Sequence, residues 1–250
     1  MITSTQGRIA IITLDRPAVR NAVNSEMARI IGAAVAAAEH DPEIWVIVIT
    51  GNGPAFCAGA DLRMIADGGS AMTDDGGFAG ITALERTKPL IAAVDGPALA
   101  GGFEIVLACD MVVAGESASF GIPEVRRALL AAAGGVIRLP HRIPRNIATE
   151  LAVTGGTISA DRAHQLGLVN RLVPTGAALA GALTLAAEVV ANPPIAVRLA
   201  LEISRLSSEH GEPAAWERND AAMAEIQQSE DFREGPLAFL DKREPVWTGT

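Results

Sequence analysis

Apolar residues recur along the chain at two spacings, and the switches between them outline its elements. Ile9 to Leu14 is a short apolar run that stops at the turn Asp15-Arg16-Pro17. Met27, Ile30, Ile31, Ala34, Val35 and Ala38 then repeat at helical spacing, predicting a helix capped by Asn24 and running to about Glu39. Ile44 to Thr50 is a β-branched run without polar alternation, so it predicts a strand buried on both faces, ended by Gly51-Asn52-Gly53-Pro54. Leu90 to Val94, closed by Asp95-Gly96-Pro97, and Met111 to Ala114 read the same way. Buried strands separated by helices call for right-handed crossovers, which makes the first 115 residues an α/β fold on a parallel sheet.

Residues 66–80 carry no periodic apolar pattern and predict a mobile surface loop, a candidate lid. After about residue 140 the strand signals fade, apart from Leu168 to Val173. Pro193-Pro194 opens a helix-rich tail in which Trp216, Met223, Ile226, Phe232, Phe239 and Trp247 are scattered. Large apolar groups in such a tail need a surface to cover, either the parent core or a second copy. No internal repeat is visible.

Composition narrows the classes. The 250 residues, 49% hydrophobic and 20% charged, suit one sizeable core and exclude disorder. Lys+Arg number 20 against Asp+Glu 29, a net charge of −9, and aromatics are only 4% with no Tyr. Neither a phosphate-coating surface nor a base-stacking platform fits, so no nucleic-acid partner is expected. Cys57 and Cys109 cannot build a disulfide framework, Met1 to Arg8 lacks the regions of a signal peptide, and charges such as Glu104 and Asp110 interrupt the apolar stretches. The expectation is a cytoplasmic protein without a membrane span.

The chemistry is first narrowed by exclusion. His40, His141, His164 and His210 have no metal-ligand spacing, no Gly-x-Ser-x-Gly elbow exists, and Gly51-Asn52-Gly53 lacks the third glycine of a dinucleotide fingerprint. No metal and no cofactor are expected. Two glycine-bearing turns remain: Phe56-Cys57-Ala58-Gly59-Ala60-Asp61, with Asp61 placed to cap a short helix, and Ala98-Leu99-Ala100-Gly101-Gly102, which opens a helix to about Ala108. Either the glycines merely permit tight strand-to-helix turns, or amides from both converge as an oxyanion hole. Glu104 is the only charged residue from Ala98 through Ala108; it lies on the helix's one wet face, or it is a buried, functional carboxylate. A second carboxylate, Glu124, follows Phe120-Gly121-Ile122-Pro123, as an ordinary first-turn acid or as the partner of Glu104 in moving protons to and from a water.

These residues resemble the enoyl-CoA hydratase (crotonase) superfamily over nearly the whole chain. The resemblance runs from Ile12-Thr-Leu-Asp-Arg-Pro-Ala-Val-Arg-Asn-Ala-Val-Asn24 through Phe56-Cys-Ala-Gly-Ala-Asp-Leu62, Ala100-Gly-Gly-Phe-Glu-Ile-Val-Leu-Ala-Cys-Asp110 and Phe120-Gly-Ile-Pro-Glu124 to Glu234-Gly-Pro-Leu-Ala-Phe-Leu-Asp-Lys-Arg-Glu-Pro245. It implies a spiral of ββα repeats over residues 1–190, carrying an acyl-CoA site, and a helical region over 191–250 that mediates trimers or dimers of trimers. It implies that the amides of Ala60 and Gly101 hold a thioester oxygen, that Glu104 helps activate water, and that Glu124 supplies a proton to the α-carbon. Arg20, Ala58, Asp61, Leu62 and Arg63 match positions along the CoA groove, and Phe239 and Lys242 match tail positions that reach the CoA of a neighbouring subunit. No cofactor is implied, because CoA belongs to the substrate.

The implied activity is reversible hydration of a trans-2-enoyl-CoA, with isomerisation, carnitinyl-CoA-type dehydration or acyl-CoA binding as alternatives. One stretch departs from the usual hydratase pattern: Leu130-Ala-Ala-Ala-Gly-Gly-Val-Ile-Arg-Leu139 replaces a Pro-Gly-Ala-Gly-Gly-Thr-Gln-Arg-Leu-like run, and looks closer to relatives of the carnitinyl-CoA dehydratase type.

Overall fold

The computed structural model describes residues 1–250. The chain opens with strands β1 (Ile2–Gln6) and β2 (Ile9–Leu14), then helix α1 (Ser25–His40), β3 (Val46–Gly51) and the short α2 (Leu62–Ala66). A small hairpin, β4 (Met72–Thr73) and β5 (Gly77–Phe78), precedes β6 (Leu90–Val94), β7 (Pro97–Leu99) and α3 (Gly101–Ala108). β8 (Met111–Gly115) and β9 (Ser119–Gly121) lead through a 3-10 turn at Pro123–Arg127 into α4 (Gly135–Arg142) and α5 (Arg145–Thr154). β10 (Thr157–Ser159), α6 (Ala160–Gln165), β11 (Arg171–Val173) and α7 (Ala178–Val190) follow, and α8 (Pro194–His210), α9 (Glu212–Ile226) and α10 (Glu230–Asp241) complete the chain.

The strands form two layers. The main sheet has the order β1-β2-β3-β6-β8-β11, parallel except for the β1–β2 hairpin. A short sheet, β10-β9-β7, is extended by single parallel bridges, Cys57 with Ala98 and Val23 with Ala60. Successive main-sheet strands thus each send the chain into the second layer and then into a helix: β2, Val23 and α1; β3, Cys57 to Ala60 and α2; β6, β7 and α3. This is a spiral of ββα units, invisible as a sequence repeat because only backbone geometry recurs.

Side-chain alternation explains why the strands read as unbroken apolar runs. On β3, Ile47 and Ile49 enter the large core shared with Ile31 and Val35 of α1, whereas Val46 and Val48 face Ala178, Ala182 and Ala186 of α7. Each such fully buried aliphatic side chain contributes about 1.5–3 kcal/mol. Asn24 caps α1 as expected, accepting from the Met27 amide at 2.9 Å, an interaction of about 1 kcal/mol.

The structure corrects the reading of residues 66–80. Their first half is exposed, but Ala71 and Gly76 to Gly80 are buried. Gly80 lies so close to α1 that a Cβ there would meet the Gly32 Cα at 2.7 Å, so this segment is packed against the helix rather than free to swing. Small side chains leave no periodic apolar signal, which is why the sequence reads as a loop. Strands β1, β7, β9 and β10 also escape sequence reading, being polar or only three to five residues long.

Helix α8 is tied to this core by charge. Arg205 of α8 reaches Asp110 Oδ1 at 2.7 Å, and Arg86 reaches Asp110 Oδ2 at 2.5 Å. Burial pushes the Asp110 carboxyl up, but Arg86 and Arg205 together bring it below the usual carboxylate value. No single helix is long and apolar enough to cross a membrane.

Candidate active site

Two neighbouring turns build the site. Cys57 and Ala98 pair in parallel: the Leu99 amide donates to Cys57 O at 3.0 Å and the Cys57 amide to Pro97 O at 3.3 Å. Three residues further along each segment stand Ala60 and Gly101, each just before or at the start of a helix. Neither of their amides donates a hydrogen bond within the chain. Their closeness follows from Gly59 (φ +94°), where a Cβ would lie 2.9 Å from the Gly101 nitrogen. Ala100 holds φ 53° and ψ −131°, a conformation that costs a non-glycine residue about 1–3 kcal/mol. This residue immediately precedes the first turn of α3. The Phe78 ring covers Gly101 so closely that a Cβ there would meet ring carbons at 2.5 Å, so only glycine fits.

The register that places Ala60 beside Gly101 also brings the two glutamates together. β7 pairs in parallel with β9, Leu99 opposite Gly121, and the Ala100 amide donates to Gly121 O at 2.9 Å. Glu104 lies five residues beyond Leu99, one turn into α3, and Glu124 three residues beyond Gly121. The rings of Phe103, beside Glu104 in sequence, and Phe120 pack 5.4 Å apart.

Glu104 is buried, 4% exposed, which settles the question of the wet helix face. Its Oε1 accepts the Gly135 amide at 2.9 Å. Burial pushes its carboxyl above the ordinary value, opposed by the Gly135 amide and by Arg138. Glu124 is half-buried, and its Oε2 is enclosed without a hydrogen-bond partner. Burial, reinforced by the nearby charge of Glu104, pushes it up to about 7. The site therefore holds one carboxyl oxygen fixed by an amide and one unpartnered, beside two unpartnered amides.

The remaining candidates divide by location. Arg20 is exposed, but its carbonyl accepts the Ala58 amide at 2.9 Å, which puts it at the rim of the first turn. Ala58 is half-buried there; Leu62 and Arg63 are exposed on the first turn of α2. Asp61 caps α2 through Oδ1 and pairs with Arg16 at 3.3 Å through Oδ2, so both its oxygens are engaged within the chain. Phe239 and Lys242, on α10 and at its end, are exposed, and no hydrogen bond or ion pair joins them to the two turns. Sequence reading missed Arg16, which also donates to Ala22 O, and buried Asn21, whose amide group donates to Asn52, Ala55 and Phe56 carbonyls and holds the first turn open. It also missed Phe78 and Gly135. No three His, Cys, Asp or Glu side chains converge as a metal site would require.

The α/β spiral thus brings together two unpartnered amides, one buried carboxyl and one half-buried carboxyl. A family model for enoyl-CoA hydratase/isomerase matches residues 4–250. The chain is 41% identical, over 98% of its length and 94% of the relative's, to the enoyl-CoA hydratase EchA19 of Mycobacterium tuberculosis. It is 40% identical, over 97% of its length and 96% of the relative's, to a carnitinyl-CoA dehydratase of Salmonella heidelberg. Its fold superposes on the crystal structure of an enoyl-CoA hydratase from Mycobacterium tuberculosis with a TM-score of 0.96 and 43% identity, covering 100% of this chain and 98% of that one. The chain belongs to the enoyl-CoA hydratase/isomerase family.

Proposed function

We propose that the protein catalyses reversible addition of water to a trans-2-enoyl-CoA, giving a 3-hydroxyacyl-CoA. The observation that carries this reading is the pair of carboxyls, Glu104 buried and Glu124 half-buried, beside the free amides of Ala60 and Gly101. Attack of water at the β-carbon places enolate charge on the thioester oxygen, and amides already aimed at that oxygen stabilise the charge as it develops. Glu104, held by Gly135, accepts a proton from the attacking water; Glu124, raised to about 7, is protonated often enough to donate to the α-carbon. No further cofactor enters this scheme.

The CoA moiety runs past Arg20, Ala58, Leu62 and Arg63 at the rim, while Asp61 acts indirectly by capping α2. Residues 191–250 serve as the association region of a homotrimer or a dimer of trimers, a reading supported by the exposed Trp216, Met223, Leu237, Phe239 and Leu240. Phe239 and Lys242 then reach the CoA of a neighbouring subunit. Buried, unpaired Cys57 and Cys109 support a reducing, cytoplasmic setting. Identity with carnitinyl-CoA dehydratases at the same level favours a second reading, dehydration of a 3-hydroxyacyl-CoA bearing a polar chain, which uses the same groups in reverse. Incubation with crotonyl-CoA and with carnitinyl-CoA, followed by mass spectrometry for gain or loss of one water, distinguishes the two.

A further inference from the structure

We propose that Arg138 is a positioning residue, which locks the turn that holds Glu104 and ties it to the segment that packs against Gly101. The inference rests on the hydratase reading of the site. Arg138 stands on the first turn of α4, its own amide donating to Gly134 O at 2.7 Å. Its half-buried guanidinium folds back, Nη1 donating to Ala133 O at 3.4 Å and Nη2 to Thr82 O at 2.6 Å. Gly134 (φ +109°) makes that fold possible, because a Cβ there would collide with Arg138 Nη1. On one side, then, the arginine grips the turn Ala133-Gly134-Gly135, whose last amide holds Glu104 Oε1 at 2.9 Å. On the other it grips Thr82, four residues after Phe78, whose ring lies on Gly101. One guanidinium thereby fixes the base and the oxyanion donor relative to each other, without touching substrate.

Its charge has a second effect. Arg138 faces Glu104 on α3, Cys109 just beyond that helix, Arg86, Arg142 further along α4, and Glu209 on α8. Of these, Glu104 is the group in the site, and the arginine favours its ionised form against the effect of burial.

The test uses the full-length protein with R138M, R138Q and R138K. In R138M, kcat falls by roughly 10-fold to 100-fold while KM stays within about twofold, as misplacement of reacting groups predicts. The infrared carboxyl band assigned to Glu104, by difference against E104Q, titrates at higher pH in R138M than in the wild type. R138K restores that midpoint by supplying the charge but only part of kcat, because an ammonium cannot span both carbonyls. Should R138M fail to fold, R138Q is expected to show the same displaced midpoint. A wild-type midpoint in the folded neutral variant, or a kcat loss that R138K leaves wholly unrestored, overturns the proposal. Wild-type protein that hydrates no enoyl thioester defeats the hydratase reading instead, and the infrared titration still decides the role of Arg138.

Discussion

The Gly135 amide donates to Glu104 Oε1 at 2.9 Å, and a Cβ on that glycine would stand 3.0 Å from the same oxygen and 2.8 Å from the Ala131 Cβ. The glycine thus both supplies the donor and clears the space for the carboxylate. Gly135→Ala displaces Glu104 or the turn, and kcat is expected to fall about 10-fold to 100-fold with little change in KM. Steady-state kinetics at saturating thioester, with a melting curve to show that the variant is folded, checks this.

Gly101→Ala attacks the other half of the site. The new methyl collides with the Phe78 ring, so the first amide of α3 must turn away. Loss of one oxyanion donor costs roughly 100-fold to 1,000-fold in kcat. Gly101→Ala with Phe78→Ala, which opens the space, should recover part of the loss; a double variant no better than the single one would show that the amide is not the group affected.

Under the proposed hydration, the elevated Glu124 carboxyl shapes the pH dependence of turnover. Hydration in the assigned sense needs Glu104 ionised and Glu124 protonated. Activity therefore falls on the acid side as Glu104, itself raised by burial, gains a proton, and on the alkaline side from about 7 as Glu124 loses one. Because the two charges interact, both limbs belong to the pair. A profile of kcat/KM that is flat from about pH 5 to about pH 9 would contradict the assignment.

The same carboxyl affects stability. It ionises near 4.5 when unfolded and near 7 when folded. Between those values the folded protein holds more protons than the unfolded chain, so stability falls as pH rises through that window and is level above it. Glu124→Gln removes the loss. With solvent screening at a half-exposed group, the variant should gain about 1 kcal/mol over the wild type above pH 7 and nothing near pH 4. Urea unfolding at the two pH values measures the difference.

Most of the main sheet was legible because its strands are buried on both faces, so β3, β6 and β8 appear as apolar runs closed by glycine or proline. The helix capped by Asn24 was legible from its stripe, and α2 and α3 from the turns before them. The second layer was not: β7 and β9 are three residues each and take their hydrogen bonds from distant segments. The same limit applies to the site. Ala60, Gly101, Glu104 and Glu124 stand out by residue type and order, whereas Gly135 matters only because α4 returns to Glu104, a contact across 31 positions. Asn21 holds the first turn through backbone carbonyls and Arg16 through the Asp61 carboxylate, contacts that no residue pattern encodes. The packed half of residues 66–80 was read as mobile because its glycines and alanines bury themselves without a periodic signal.

The most direct measurement is the loss of ultraviolet absorbance of the conjugated thioester when crotonyl-CoA is mixed with wild-type protein, E104Q or E124Q. Rapid loss with the wild type, slowed by roughly 100-fold or more in each variant, is the predicted result for two carboxyls acting together on one water. Undiminished loss in either variant would contradict the paired mechanism. No loss with the wild type, either on crotonyl-CoA or in the reverse direction on 3-hydroxybutyryl-CoA, would contradict the hydratase assignment itself.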